Sequence, residues 1–90
     1  MTIMPAGKEP APGAFARAVS HEVRHLLTDR RVSGAQMAAM INRSQSYVSK
    51  RLRAEASFTA NDVETICRAL NMDLLELLTA AVRRARSGRI

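Results

Sequence analysis

The fold predicted by the sequence is one all-α domain of five short helices, and three observations predict it. The 90 residues are 47% hydrophobic but include only the aromatics Phe15, Tyr47 and Phe58, and an aliphatic, Ala-rich remainder favours helix. Apolar residues recur at spacings of three and four, without the alternation a half-buried strand needs. Ser33, Ser44, Thr59 and Asp73 each precede such a stripe, where a side-chain oxygen can accept from an unpaired amide of the first turn.

The first helix is expected from Ala14 to about Asp29, with Phe15, Val19, Val23, Leu26 and Leu27 as its apolar stripe. Ser33 and Gln36 form the two ends of a capping box that opens a second helix, Gly34 to Ile41, which buries Met37, Ala38 and Ile41. Asn42 tolerates the left-handed backbone that stops it. Ser44 caps a third helix, Gln45 to Arg53, with Val48 and Leu52 inward. Thr59 and Asp62 open a fourth, carrying Val63, Ile66, Cys67 and Leu70 and ending at Asn71. Asp73 and Glu76 make a further capping box for a fifth, which runs through Leu74, Leu75, Leu77, Leu78 and Val82 and fades into a basic tail. Met37, Met40 and Met72 are expected to fill gaps in the core.

Residues 1–13 hold all 3 prolines and two of the 4 glycines, which predicts a disordered arm. Residues 14–79 then form the folded domain, and residues 80–90 the end of helix five and the tail. The lone Cys67 cannot make an internal disulfide, so it reads as core packing and the location as cytoplasmic. Neither a signal peptide nor a membrane span is visible. The net charge of +6 predicts a polyanionic partner, with nucleic acid first.

One string argues for different chemistry. Residues 21–25 read HEVRH, and two His four apart on a helix with an intervening Glu are the ligands and base of a zinc protease. A catalytic zinc needs a third protein ligand, however, and the chain has only these 2 His. Both also fall nearly opposite the stripe through Phe15, Val19, Val23 and Leu26, toward solvent. No metal, cofactor or catalytic residue is therefore expected, and the protein is not read as an enzyme.

Helices two and three, joined by a short turn at Asn42, have the helix-turn-helix pattern. Ala38 is small where the helices cross, and Ile41 and Val48 close the angle between them. From Arg43 to Arg53 the chain carries Arg43, Lys50, Arg51 and Arg53 but no acid, interleaved with Gln45, Ser46, Tyr47 and Ser49. That composition suits a face meeting phosphates and base edges in a major groove.

The segments VSGAQMAAMINRSQSYVSKRLRAE and FTANDVETICRALNMDLLELL resemble the phage lambda repressor-like, or xenobiotic-response-element, family of DNA-binding domains over roughly residues 14–79. The resemblance implies that Gln45, Ser46, Ser49, Lys50 and Arg53 read bases, with Gln45 first and suited to adenine. It also implies that Arg43, Ser44, Tyr47 and Arg51 hold phosphates. Relatives usually carry Gln, a phosphate clamp, where this chain has Gly34, and Arg31 is the expected replacement. Arg51 stands where relatives are commonly apolar, and Ala54 where a glycine often follows helix three.

The last helix of the family often pairs two copies. Here Leu74, Leu75, Leu78, Ala81 and Val82 spread over more than one face and form the expected homodimer interface. Two recognition helices would then stand about 34 Å apart on a palindromic site. The resulting expectation is a sequence-specific regulator of transcription, a repressor of phage or prophage immunity type occupying an operator on double-stranded DNA, with no small-molecule ligand. The alternative is an antitoxin-like protein that binds its own promoter and a protein partner. Recognition of single-stranded RNA is less suited, because only Tyr47 offers an exposed stacking aromatic.

Overall fold

Side-chain oxygens start four of the five helices in the computed structural model, which describes residues 9–88. The order is α1 (Ala14–Arg30), α2 (Gly34–Met40), α3 (Gln45–Leu52), α4 (Ala60–Ala69) and α5 (Leu74–Ser87). At α2, Ser33 Oγ accepts from Gln36 N at 3.0 Å while Gln36 Oε1 accepts from Ser33 N at 2.8 Å. Thr59 and Asp62 make the same reciprocal pair at α4, at 3.0 and 3.2 Å. Ser44 Oγ accepts from Tyr47 N at 3.1 Å to start α3. Asp73 accepts from Glu76 N at 2.9 Å, which is the forward half of the box expected at α5; the return bond from Glu76 is not formed. Such caps are worth about 1 kcal/mol each.

Four helices end alike. The backbone turns left-handed at Arg31 (φ 56°), Asn42 (φ 58°), Ala54 (φ 59°) and Asn71 (φ 54°). The amide after each reaches back to the last turn: Val32 N to Leu27 O (2.9 Å), Arg43 N to Ala38 O (2.9 Å), Glu55 N to Lys50 O (3.0 Å) and Met72 N to Cys67 O (2.8 Å). These bonds satisfy carbonyls that helix ends leave orphaned. Asn42 and Asn71 suit this conformation, whereas Arg31 and Ala54 carry a Cβ that opposes it.

One core joins the helices. Val23, Met37, Val48, Ile66 and Leu77 are among its most deeply buried side chains. Helix α1 packs along α5, and α2 crosses α3. Polar ties reinforce the ends: Arg84 Nε donates to Glu22 at 2.6 Å between α5 and α1, and Arg30 Nε donates to Leu70 O at 3.1 Å at the close of α4.

Four expectations need correction. Phe15, placed on the core stripe, is 46% exposed; it borders an apolar groove with Val19, Phe58, Val63, Leu74 and Leu78 that no other described residue fills. Met40 lies on the outer side of α2 and is 50% exposed, so it fills no gap. Ala81, expected at a dimer interface, is fully buried, because α5 sets Leu77 and Ala81, one turn apart, against its own α1. Helix α5 also continues to Ser87, so Arg83, Arg84 and Arg86 are helical rather than part of a loose tail. Of the proposed arm, residues 1–8 lie outside the described residues.

Candidate nucleic-acid interface

Helix α3 has two chemically different sides. Its inner side carries Val48, which is 1% exposed and packs in the core, and Arg51, which is buried. Gln45, Ser46 and Lys50 stay exposed on its outer side, with Ser49 half-buried between them. All four, together with Leu52 and Arg53, line an open cleft of about 600 Å³ whose other wall is Gly34 and Ala35 at the start of α2. The five residues expected to read bases therefore share one surface. Gly34 has a local reason as well: a Cβ there would meet Leu52 Cδ1 at 3.3 Å, so the missing side chain lets α2 start close against α3.

The residues expected on phosphates are more scattered. Arg31 sits exposed on the α1–α2 turn, outside the cleft. The Ser44 hydroxyl is used as the α3 cap. Arg51 does not reach outward, contrary to expectation: its Nε donates to Ser57 O at 3.1 Å, its Nη1 to Tyr47 O at 3.2 Å and its Nη2 to the Glu9 carboxylate at 3.2 Å. Only 9% of its side chain is exposed, so it holds the back of α3 instead of a phosphate. A long stem that can pack under an aromatic ring explains how Arg occupies a position more often apolar.

Tyr47 and Arg43 form one unit with α4. Tyr47 Oη donates to Asp62 Oδ2 at 2.5 Å, and Arg43 Nε donates to Asp62 Oδ1 at 3.2 Å. Both guanidiniums lie over the Tyr47 ring, Arg43 at 4.5 Å and Arg51 at 3.5 Å from its centre, an arrangement favoured by the negative ring face. The Tyr47 hydroxyl is thus engaged inward rather than held out for DNA. Burial pushes the Tyr47 phenol up, and its bond to Asp62 adds to this. Burial alone would also raise the Asp62 carboxyl, but the bonds from Tyr47 and Thr59 and the Arg43 charge outweigh it and hold Asp62 below the usual carboxylate range.

At the far end of α3, Arg53 bonds Ser49 Oγ and pairs with Glu55 at 2.7 Å. The bond from Arg53 and its charge keep Glu55 low. Arg53 and Ser49 are therefore bonded to each other, and Arg53 also to Glu55. Sequence reasoning missed three partners here. Asp62 was legible only as a cap, while Glu9 and the Ser57 carbonyl have no signal in local spacing.

The HEVRH string has a structural explanation. Glu22 is taken by Arg84, Val23 is buried, and the two imidazoles sit 5.6 Å apart with Arg24 Nη2 against His21 Nδ1 at 3.3 Å. Burial, then Arg84 and Arg24, lower the His21 pKa. Among the described residues, no three His, Cys, Asp or Glu side chains gather where a metal would sit. None of the described helices is long and apolar enough to cross a membrane.

Two solved structures share the fold. A crystal structure of the clp gene regulator ClgR from Corynebacterium glutamicum superposes with a TM-score of 0.76 at 20% identity, covering 89% of this chain and 84% of that one. A second structure of that regulator gives 0.70 at 21% identity, covering 79% and 91%. No curated protein matches the chain in sequence. Residues 22–81, most of the folded part, match the Cro/C1-type helix-turn-helix DNA-binding domain. With its capped α2–α3 pair and acid-free outer face, the chain belongs to the Cro/C1-type helix-turn-helix DNA-binding family.

Proposed function

We propose that this chain is a sequence-specific regulator of transcription, acting in the cytoplasm as a repressor that covers an operator. The observation that carries the reading is the outer face of α3, where Gln45, Ser46, Ser49 and Lys50 line one open cleft that has no acidic side chain in its lining, the nearby Glu55 being paired with Arg53. Their side chains suit base edges: Gln45 pairs with adenine through two hydrogen bonds, and Lys50 favours guanine. Arg43 and the capped amide end of α3 hold phosphates and fix register. The regulator role named for ClgR supports this reading. Arg53 joins the base readers by exchanging Ser49 or Glu55 for a base edge.

A palindromic operator follows from pairing of two copies. Leu75, which is 71% exposed, and the half-buried Leu78 and Val82 recur at spacings of three and four on α5, and Leu74 and Leu78 border the groove beside Phe15. An apolar strip of this kind is buried on association. Selection of bound duplexes from a random pool tests the proposal. A two-fold symmetric sequence with half-sites about 34 Å apart is expected, and failure to enrich any sequence would overturn it.

A further inference from the structure

We propose that Asp62, on α4, is a positioning residue for DNA: it bonds Arg43 directly and, with Tyr47, holds the Arg43 guanidinium ready for a backbone phosphate. The inference rests on the DNA-binding reading above and deepens it. Asp62 contacts no part of the cleft on α3, and its side chain is only 3% exposed, while that of Arg43 is 40% exposed. One carboxylate therefore sits inside the fold and one cation at its surface, joined by a single bond.

The geometry shows how this would work. Arg43 uses Nε on Asp62 Oδ1, which leaves the fork of its two Nη groups for an outside acceptor, the geometry that suits phosphate. Asp62 Oδ2 accepts from Tyr47 Oη and from Thr59 N, so the carboxylate is fixed by α3 and α4 together. The Tyr47 ring supports the same guanidinium at 4.5 Å. Arg51 holds the ring at 3.5 Å and is itself tied to Glu9. Two guanidiniums thus flank one aromatic ring, each tied to a carboxylate, and of the two Arg43 is the exposed one, at 40% against 9% for Arg51. Ordering a long side chain before binding removes a cost that is otherwise met in the complex.

The test is a double-variant comparison on a mixed-sequence DNA duplex at fixed salt, with the melting temperature of each protein measured alongside. Arg43→Ala should weaken binding about ten-fold, the loss of one charge-assisted contact. Asp62→Asn, which keeps the shape, should weaken it about two- to ten-fold through lost ordering of Arg43. Arg43→Ala with Asp62→Asn should bind no more weakly than Arg43→Ala alone. Tyr47→Phe, which removes only the hydroxyl, should show the same pattern with a smaller loss, and it decides the matter if Asp62→Asn does not fold. Losses that multiply in the double variant would assign Asp62 to the fold alone and overturn the proposal. Tighter binding by Asp62→Asn would do so too, making the carboxylate a competitor for Arg43. A wild-type protein that fails to bind the duplex would instead overturn the DNA-binding reading and the proposal with it.

Discussion

Replacing Ala54 with glycine should stabilise the protein, although glycine usually weakens a fold. Ala54 ends the recognition helix with φ 59°, and two bonds hold it there, Ala54 N to Arg51 O and Glu55 N to Lys50 O, both 3.0 Å. A left-handed residue with a Cβ costs roughly 1–2 kcal/mol. Glycine removes that cost but adds about 0.4–1 kcal/mol of unfolded-state entropy. The net gain is about 0.5–1 kcal/mol, or roughly 2–8 °C in melting temperature for a domain of this size. Thermal and denaturant unfolding of Ala54→Gly against wild type measure it. Asn42→Gly is the control: Asn already tolerates its φ of 58°, so glycine relieves little strain there and should cost up to about 0.4–1 kcal/mol. A loss of stability in Ala54→Gly as large as that of an ordinary helix-interior glycine would refute the strain argument.

Three further outcomes follow from the same geometry. Arg51→Ala should cost about 2–3 kcal/mol in urea unfolding, chiefly because it empties a buried position, whereas Arg51→Met, which refills that space, should recover most of the loss; equal losses would show that the bonds to Ser57 and Tyr47, and not the filled space, matter. Asp62 is held below its ordinary value of 3.8, so the stability it contributes is present above that pH and is lost as the pH falls through the folded-state value; acid unfolding of Asp62→Asn should accordingly be less steep below pH 3.8. Leu75→Lys changes a side chain that is 71% exposed and should leave the unfolding free energy of the monomer within about 0.5 kcal/mol of wild type while abolishing the proposed pairing of two copies in sedimentation; a dimer persisting in the variant would place the interface elsewhere.

Much of the fold was legible because its signals are local. A cap needs only its own first turn, so Ser33, Ser44 and Thr59 announced α2, α3 and α4 correctly. Asn42 and Asn71 announced the stops, since few residues other than glycine accept that backbone. The outer face of α3 was legible for a similar reason: Gln45, Ser46 and Lys50 have no apolar duty at their helical positions, and all three stand exposed. Arg51 was misread because its inward role depends on Ser57 O and Glu9, distant in kind and in sequence from anything its own helix displays. Phe15 matched the spacing of the stripe, yet spacing cannot say whether a neighbour arrives to cover it, and none among the described residues does. Ala81 failed in the opposite sense. A small residue on a leucine-rich face looked available to a partner, but its smallness serves the close approach of α5 to α1.

The decisive comparison is the affinity of wild type, Gln45→Ala and Arg43→Ala for a duplex selected from a random pool and for a scrambled duplex of the same composition. Wild type should prefer the selected duplex by about 10³-fold or more. Gln45→Ala should lose roughly 1–3 kcal/mol of that preference at one base position while binding the scrambled duplex unchanged, and Arg43→Ala should weaken both duplexes alike and reduce the salt dependence by about one ion. Equal affinity of the wild-type protein for the two duplexes would contradict sequence-specific reading by the outer face of α3.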